Sequence, residues 1–210
     1  MSTVEVKFGE WIQKGFDLFK ANMGLLIVAA LLAYVLAGIT IGILLGPMMA
    51  GLILIVLALI DKREPKPADG DLFKGFECFL QAFLLVLVVG LPLLVVSMIL
   101  MLIPCVGWLV SLALQLGAST AVMFALPLVA DKKMAFWPAI MASFEMVKRN
   151  FFSFLGLMLV SAVISGIGSI ACGIGVIVTA PIGICIMAVA YRELFSAAPA
   201  AGATEAVPSV

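Results

Sequence analysis

The side chains that could do chemistry in this chain are few, and histidine is absent from all 210 residues. Histidine is the commonest general base and the commonest metal ligand in proteins. The carboxylates best placed to act on a lipid headgroup are Asp61, Asp131 and Glu193, but no two of them form a recognisable catalytic pair in the sequence. Such end-of-segment carboxylates usually balance nearby lysines or arginines. We therefore expect a protein that is not an enzyme and has no catalytic residue.

The four cysteines also give no sign of a metal or redox centre. They are not arranged as a Cys-x-x-Cys pair and have no histidine to complete a ligand set. Zinc and thiol-redox motifs depend on such spacings. The sequence therefore predicts no bound metal and no cofactor. The cysteines are Cys78, Cys105, Cys172 and Cys185.

An ionic pair of residues, Arg192 and Glu193, closes the last apolar segment directly after Tyr191. Adjacent residues on a helix point to different sides, so these two need not bind each other. One hypothesis is that they contact a lipid headgroup or a protein partner. The alternative is that they only anchor the helix end at the membrane surface.

The amino-acid composition of the chain indicates that lipid covers part of its surface. Hydrophobic residues make up 65% of the chain, charged residues 11%, and the mean hydropathy is +1.30. A soluble domain is roughly half apolar and about a quarter charged. The bilayer must therefore cover part of the surface. The formal net charge of +0 gives no basic excess, and we expect no nucleic-acid partner.

Three apolar blocks run through residues 23–60, 79–130 and 151–191. A membrane-spanning helix needs about 20 residues, so each block fits two spans better than one. Breaks fall at Gly46-Pro47, at 103–107 and at 172–175, with the first turn expected near 42–47. The sequence predicts an all-α polytopic membrane bundle of six transmembrane helices, arranged as three hairpins.

The basic residues indicate the orientation. Six spans place all twelve lysines and arginines on the same side, while the three opposite turns carry no charge. By the positive-inside rule the charged side is cytoplasmic. We expect a bacterial inner-membrane protein with both termini in the cytoplasm. Under this topology Cys105 and Cys172 occupy two extracytoplasmic turns, and a disulfide between them is a hypothesis because that compartment is oxidising.

A short internal repeat precedes each hairpin. Its pattern is a small residue, a phenylalanine, an acid, any residue and a large apolar residue, at 15–19, 75–79 and 143–147. Helical spacing of apolar residues around these strings predicts an amphipathic interfacial helix before each hairpin. We expect one membrane domain over 1–195, built from repeats at about 8–60, 71–130 and 136–194. The Ala- and Pro-rich tail, 196–210, is expected to be disordered and cytoplasmic.

Polar and small residues within the spans predict helix packing. Gln115 is the deepest polar side chain and is expected to hydrogen-bond between helices. Stripes of small residues, such as Gly38, Gly42 and Gly46, are expected to pack inside the bundle, with a homo-oligomer interface as the alternative. Pro92 and Pro127 are expected to kink their helices.

Several of these features resemble poorly characterised bacterial multi-pass families, including the membrane domain of some glycerophosphodiester phosphodiesterases. The features are the run 15–22 before a hairpin, Gly46-Pro47 with Gly51, the run 142–151 and the closing 181–194. The resemblance covers nearly the whole chain apart from the tail. It implies the architecture, and we expect it to transfer no catalytic residue because these 210 residues include no phosphodiesterase domain.

Two functions remain from the sequence. The proposed spans contain no Asp, Glu, Lys, Arg or His, which argues against an ion-coupled transporter and an intramembrane hydrolase. The leading hypothesis is a non-enzymatic accessory or scaffold subunit, whose partners are membrane lipids and either a membrane protein or a second copy. The alternative is a carrier or flippase for a lipid or an apolar small molecule.

Overall fold

The computed structural model describes residues 7–103, 106–170 and 174–196, and every regular element in them is a helix. The all-α class is therefore confirmed. In chain order the helices are α1 (Phe8–Ala21), α2 (Met23–Ile39), α3 (Leu45–Ile60), a 3-10 helix (Asp69–Cys78), α4 (Phe79–Leu100), α5 (Val106–Ala121), α6 (Ala125–Lys132), α7 (Phe136–Arg149), α8 (Phe151–Ile170) and α9 (Ile174–Ser196).

By length and composition, these helices are those of a multi-pass membrane protein. Three segments among the described residues are long and apolar enough to cross a bilayer: Asp69–Leu100, Val106–Lys132 and Ile177–Phe195. Two bent pairs, α1 with α2 and α7 with α8, raise the number to as many as five. The remaining apolar helix, α3, has 16 residues. At 1.5 Å per residue it is about 24 Å long, less than a hydrocarbon core of about 30 Å.

The long helices pack as pairs, α2 with α3, α4 with α5 and α8 with α9. The first turn occupies residues 40–44, slightly earlier than the sequence predicts. Ile41 and Gly42 reverse the chain there, with φ angles of 52° and 83°. Gly46 and Pro47 instead lie in the first turn of α3. Proline is tolerated there because its missing N–H would have no partner within the helix.

The two prolines expected to bend helices behave differently. Pro127 is the third residue of α6, and the three residues before α6 separate it from α5. A break between helices therefore precedes Pro127, and the predicted kink itself stays a prediction. Pro92 lies inside α4, which continues unbroken from Phe79 to Leu100.

A short helix precedes each helix pair, as the repeat predicts. Asn22 alone separates α1 from α2, and the two meet at 90°. Asn150 alone separates α7 from α8, and the bend there is 106°. The middle unit differs because its short helix is a 3-10 helix that runs directly into α4.

The repeated string has the same orientation in all three units. Its first residue, Gly15, Gly75 or Ser143, is buried. The phenylalanine that follows is exposed, with relative accessibilities of 42% for Phe16, 39% for Phe76 and 46% for Phe144. The small residue therefore faces the protein and the phenylalanine faces outward.

Each buried small residue contacts the second long helix of another unit. A side chain at Gly15 would lie 2.7 Å from the Ile186 Cα in α9, and one at Gly75 would overlap the Pro47 carbonyl in α3. Ser143 Oγ donates to the Ala121 carbonyl at 2.9 Å, where α5 ends. With α1–α3 as unit 1, the 3-10 helix to α6 as unit 2 and α7–α9 as unit 3, unit 1 docks on unit 3, unit 2 on unit 1, and unit 3 on unit 2.

The long helices follow the same cyclic order. The first long helix of each unit packs on the second long helix of the unit on which its short helix docks: α2 on α9, α4 on α3 and α8 on α5. The described helices thus form a closed ring of three segments, each a short helix followed by packed longer helices. Within this ring α3 is largely enclosed by protein: ten of its sixteen residues are buried, and it contacts α2, α4, α6, α9 and the 3-10 helix.

Candidate functional site

The ends of three helices meet at the Arg192 guanidinium. Its Nη1 donates to Asp131 Oδ2 at 2.9 Å, and its Nη2 donates to Asp61 Oδ2 at 2.5 Å and to Asp131 Oδ1 at 3.3 Å. The Tyr191 hydroxyl also donates to Asp131 Oδ2, at 3.0 Å. We call Tyr191, Arg192, Asp61 and Asp131 the ionic cluster.

The ring explains why these residues meet. Asp61 directly follows α3, Asp131 lies near the end of α6, and Arg192 lies near the end of α9. Each therefore lies at the end of the last helix of its unit. Three carboxylates at this point would repel one another, whereas an arginine in the third unit attracts both aspartates.

The ionic cluster is half-buried. The exposed fractions of the side chains are 21% for Arg192, 14% for Asp131 and 28% for Asp61. Bidentate pairing between arginine and carboxylate is strong at such sites because solvent screens it less. Both terminal nitrogens of Arg192 are occupied. A lipid headgroup at this point would compete with the two carboxylates for the guanidinium.

Glu193 lies on the other side of α9 and bonds to α1. The buried Trp11 indole N–H donates to Glu193 Oε2 at 2.7 Å, and Lys14 Nζ lies 2.5 Å from Glu193 Oε1. The hydrogen bond from Lys14 to Glu193 raises the pKa of that lysine. Arg192 and Glu193 thus have separate partners, as their adjacency predicts.

These charged groups attach one helix to another through ion pairs. Asp61, Asp131 and Glu193, the three carboxylates that the sequence singles out, each pair with a cation from another helix. Within the described ranges, no group of three or more cysteine and carboxylate side chains is placed to hold a metal ion. The arrangement joins helix ends of all three units.

An apolar cavity of about 430 Å³ lies between α3, the break before α6, α8 and α9. Ligand pockets usually measure about 300–1,000 Å³ and are mostly apolar. Ser161 contributes a hydroxyl, which donates to the Leu157 carbonyl at 3.0 Å. The lining residues are Met49, Ile53, Met123, Leu126, Leu157, Met158, Ser161, Ala162, Ala180, Gly183, Ile184 and Met187.

The composition and position of the cavity suit a flexible ligand. Four of its twelve lining residues are methionines, whose unbranched thioether side chains adapt to irregular shapes. Along α9, Met187 lies about one turn before Tyr191. The ionic cluster therefore lies one turn beyond the cavity, toward the helix ends that carry the charges.

The other polar and small residues mostly bond between helices. Gln115 Nε2 donates to Ser97 Oγ at 3.1 Å, which joins α5 to α4 as predicted. Gly46 packs against the backbone carbonyl of Ala82 in α4, but Gly38 and Gly42 have open space beside them. The prediction that small residues pack inside the bundle is therefore correct at Gly46 and wrong at Gly38 and Gly42.

Two of the four cysteines lie within the described residues. Cys105 and Cys172, the proposed disulfide partners, lie outside the described residues. Cys78 and Cys185 are buried free thiols. The disulfide between Cys105 and Cys172 stays a prediction.

Comparison of the chain with protein-family models, curated proteins and solved structures found no match. The suspected family resemblance therefore stays a prediction.

The sequence does contain a signal for the ionic cluster. Asp61-Lys62 and Asp131-Lys132 repeat the same dipeptide at the end of the last helix of their units. Arg192 holds the matching place in the third unit. Placing the acidic and basic residues by repeat position would have predicted their meeting.

We expect strong coupling between Arg192 and Asp131 in the stability of the protein. A double-mutant cycle with Arg192→Gln and Asp131→Asn should give about 1–3 kcal/mol of coupling, because the two side chains touch and are half-buried. The measurement is the free energy of unfolding in mixed micelles titrated with SDS.

The matched control is the exposed pair of Lys133 and Glu77, whose Nζ and Oε2 atoms are 2.9 Å apart. Solvent screening should make its coupling, measured with Lys133→Gln and Glu77→Gln, close to zero. Equal coupling in the two pairs would contradict the role given to the ionic cluster.

Proposed function

We propose that the chain crosses a bacterial inner membrane six times, with both termini in the cytoplasm. The candidate spans, the two bent pairs and α3 together supply six apolar helices. Their charged ends coincide, because the pairs Lys14–Glu193, Arg192–Asp61 and Lys133–Glu77 all join the ends that six spans put on one side. This agreement supports the topology that the positive-inside rule indicates.

The short α3 is compatible with a sixth span. Ten of its sixteen residues are buried, and five neighbouring helices contact it. A helix surrounded by protein does not have to match the thickness of the lipid around the bundle. Its length therefore does not argue against a transmembrane position.

Cysteine labelling from outside the cell tests the six-span topology. In a background without native cysteines, Ile41→Cys lies in the exposed 40–44 turn and should react with a membrane-impermeant maleimide in intact cells. Lys66→Cys, in the loop after α3, should react only after the membrane is permeabilised. Reaction of both variants from the same side would refute the topology.

For the function, we propose that the bundle holds an apolar or lipid-like molecule, as a carrier or flippase would. The observation that carries this proposal is the methionine-rich cavity between α3, α6, α8 and α9. It favours the second of the two functions that the sequence leaves open. The ionic cluster fits this function because it closes the bundle one turn beyond the cavity.

A non-enzymatic accessory or scaffold subunit is the second candidate, and a different observation favours it. Although its Nε2 donates to Ser97 in α4, the Gln115 side chain stays exposed on α5, in an otherwise apolar surface formed by α4 and α5. Polar side chains on membrane helices commonly bond to a neighbouring helix. A helix from a membrane partner, or from a second copy, could therefore cover Gln115 and its neighbours.

Filling the cavity distinguishes the two functions. Ala162 lines the cavity, whereas Ala113 is exposed on α5. Native mass spectrometry of gently extracted protein should show a bound apolar molecule on the wild type and on Ala113→Phe. Ala162→Phe should lose most of it, because the ring occupies the space.

The opposite pattern would overturn the carrier proposal. In that pattern the wild type carries no small molecule but retains a stoichiometric protein, and Ala113→Phe releases that protein. The accessory function would then replace the carrier function. The same spectra report the oligomeric state.

A further inference from the structure

A second pocket, of about 300 Å³, lies where the loop after α3 folds back beside Asn22. Lys62, Arg63 and Lys66 contribute three cations to its wall, and Glu64 contributes one carboxylate. The other lining residues are Asn22, Ala58, Leu59 and Pro67. The pocket therefore combines an apolar floor at the end of α3 with a basic loop.

Two of these cations are available to a ligand. Arg63 is partly neutralised, because its Nη2 lies 3.1 Å from Asp61 Oδ2. Lys62 and Lys66 form no ion pair with any residue in the described ranges, and both are exposed. The basic charge of this pocket is therefore not consumed within the fold, unlike that of Arg192.

The helix end fixes the position of the basic loop. Lys62 adopts a left-handed conformation with φ 50°, and the Arg63 N–H donates to the Ala58 carbonyl at 3.0 Å. A left-handed residue of this kind ends a helix and turns the chain away from its axis. This turn places the cations of residues 62–67 next to the end of α3.

The pocket also lies at the depth of lipid headgroups. Asn22 is the residue directly before α2, and Leu59 is in the last turn of α3. If α2 and α3 cross the bilayer, the pocket lies at its cytoplasmic boundary, where anionic lipids attract lysines and arginines. This step rests on the proposed six-span topology and not on the apolar cavity.

We propose that this pocket binds the phosphate group of an anionic phospholipid, through Lys62 and Lys66 with Arg63 beside them. The apolar floor formed by Ala58 and Leu59 contacts the lipid portion next to the phosphate. This pocket is a different basic surface from Arg192 and Glu193, for which a headgroup contact is one of two hypotheses from the sequence.

Native mass spectrometry of delipidated protein with added phosphatidylglycerol or phosphatidylcholine tests this site. We expect the wild type to bind phosphatidylglycerol more tightly. Lys62→Ala/Lys66→Ala should weaken that binding by about fivefold for each lysine removed. Lys62→Arg/Lys66→Arg should retain it, because the charges remain.

The matched control removes two other basic residues from the same end of the bundle. Lys148 and Arg149 are exposed at the end of α7, and Lys148→Ala/Arg149→Ala should bind phosphatidylglycerol as the wild type does. An equal loss in the two double variants, or no loss in either, would overturn the proposal. Thermal unfolding of each variant identifies a loss caused by misfolding, in which case the single variants Lys62→Ala and Lys66→Ala decide.

Inorganic phosphate distinguishes a phospholipid from free phosphate as the ligand of this pocket. Millimolar phosphate should leave phosphatidylglycerol bound if the lipid is the ligand. Displacement by phosphate, together with phosphate binding that Lys62→Ala/Lys66→Ala abolishes, would replace the lipid by free phosphate. Because the protein is in detergent, this result is independent of the labelling that tests the topology.

Discussion

Close backbone contact at one small residue per unit holds the three helix pairs in a ring. Gly15 and Gly75 allow a short helix to lie directly on α9 and α3, where a side chain would collide with backbone atoms. Ser143 achieves the same approach by hydrogen bonds to Ala121 and Phe124. In lipid, where burial of apolar surface between helices gives little driving force, such close packing is what attaches helices to one another.

The ring has a consequence for charge and for the cavity. Because α6 and α9 both pack on α3, the ends of these three helices bring Asp61, Asp131 and Arg192 together. The repeat would be repulsive with an acid in all three units, and it becomes attractive because the third unit carries an arginine. The same convergence surrounds the apolar cavity, with the ionic cluster one turn beyond it.

The local elements could be predicted from sequence because their signals are local. Long apolar blocks, breaks at glycine and proline, and a repeated string before each block are sufficient to predict the helices and the paired arrangement of the long ones. The first turn lies a few residues before its predicted position. Proline disrupts the interior of a helix but is tolerated in its first turn, and Pro47 lies in the first turn of α3.

The docking of the short helices could not be predicted because it depends on contacts between distant parts of the chain. Trp11, Phe16 and Phe19 have the spacing of one apolar face. In the fold that face divides, since Trp11 and Phe19 are buried while Phe16 points outward. The cavity likewise forms from four separate segments whose apolar residues differ in no visible way from those of an ordinary core.

Zero-length cross-linking of the wild-type protein tests most directly whether the ring is closed. Lys14 in α1 and Glu193 in α9 are both partly exposed, and their Nζ and Oε1 atoms are 2.5 Å apart. A carbodiimide should join them through an amide with loss of water, and peptide mass spectrometry should find the product. Lys14 also lies 3.5 Å from Glu10, four residues earlier, which provides an internal control for its reactivity. Abundant Lys14–Glu10 product without any Lys14–Glu193 product would show that the first and last units do not meet.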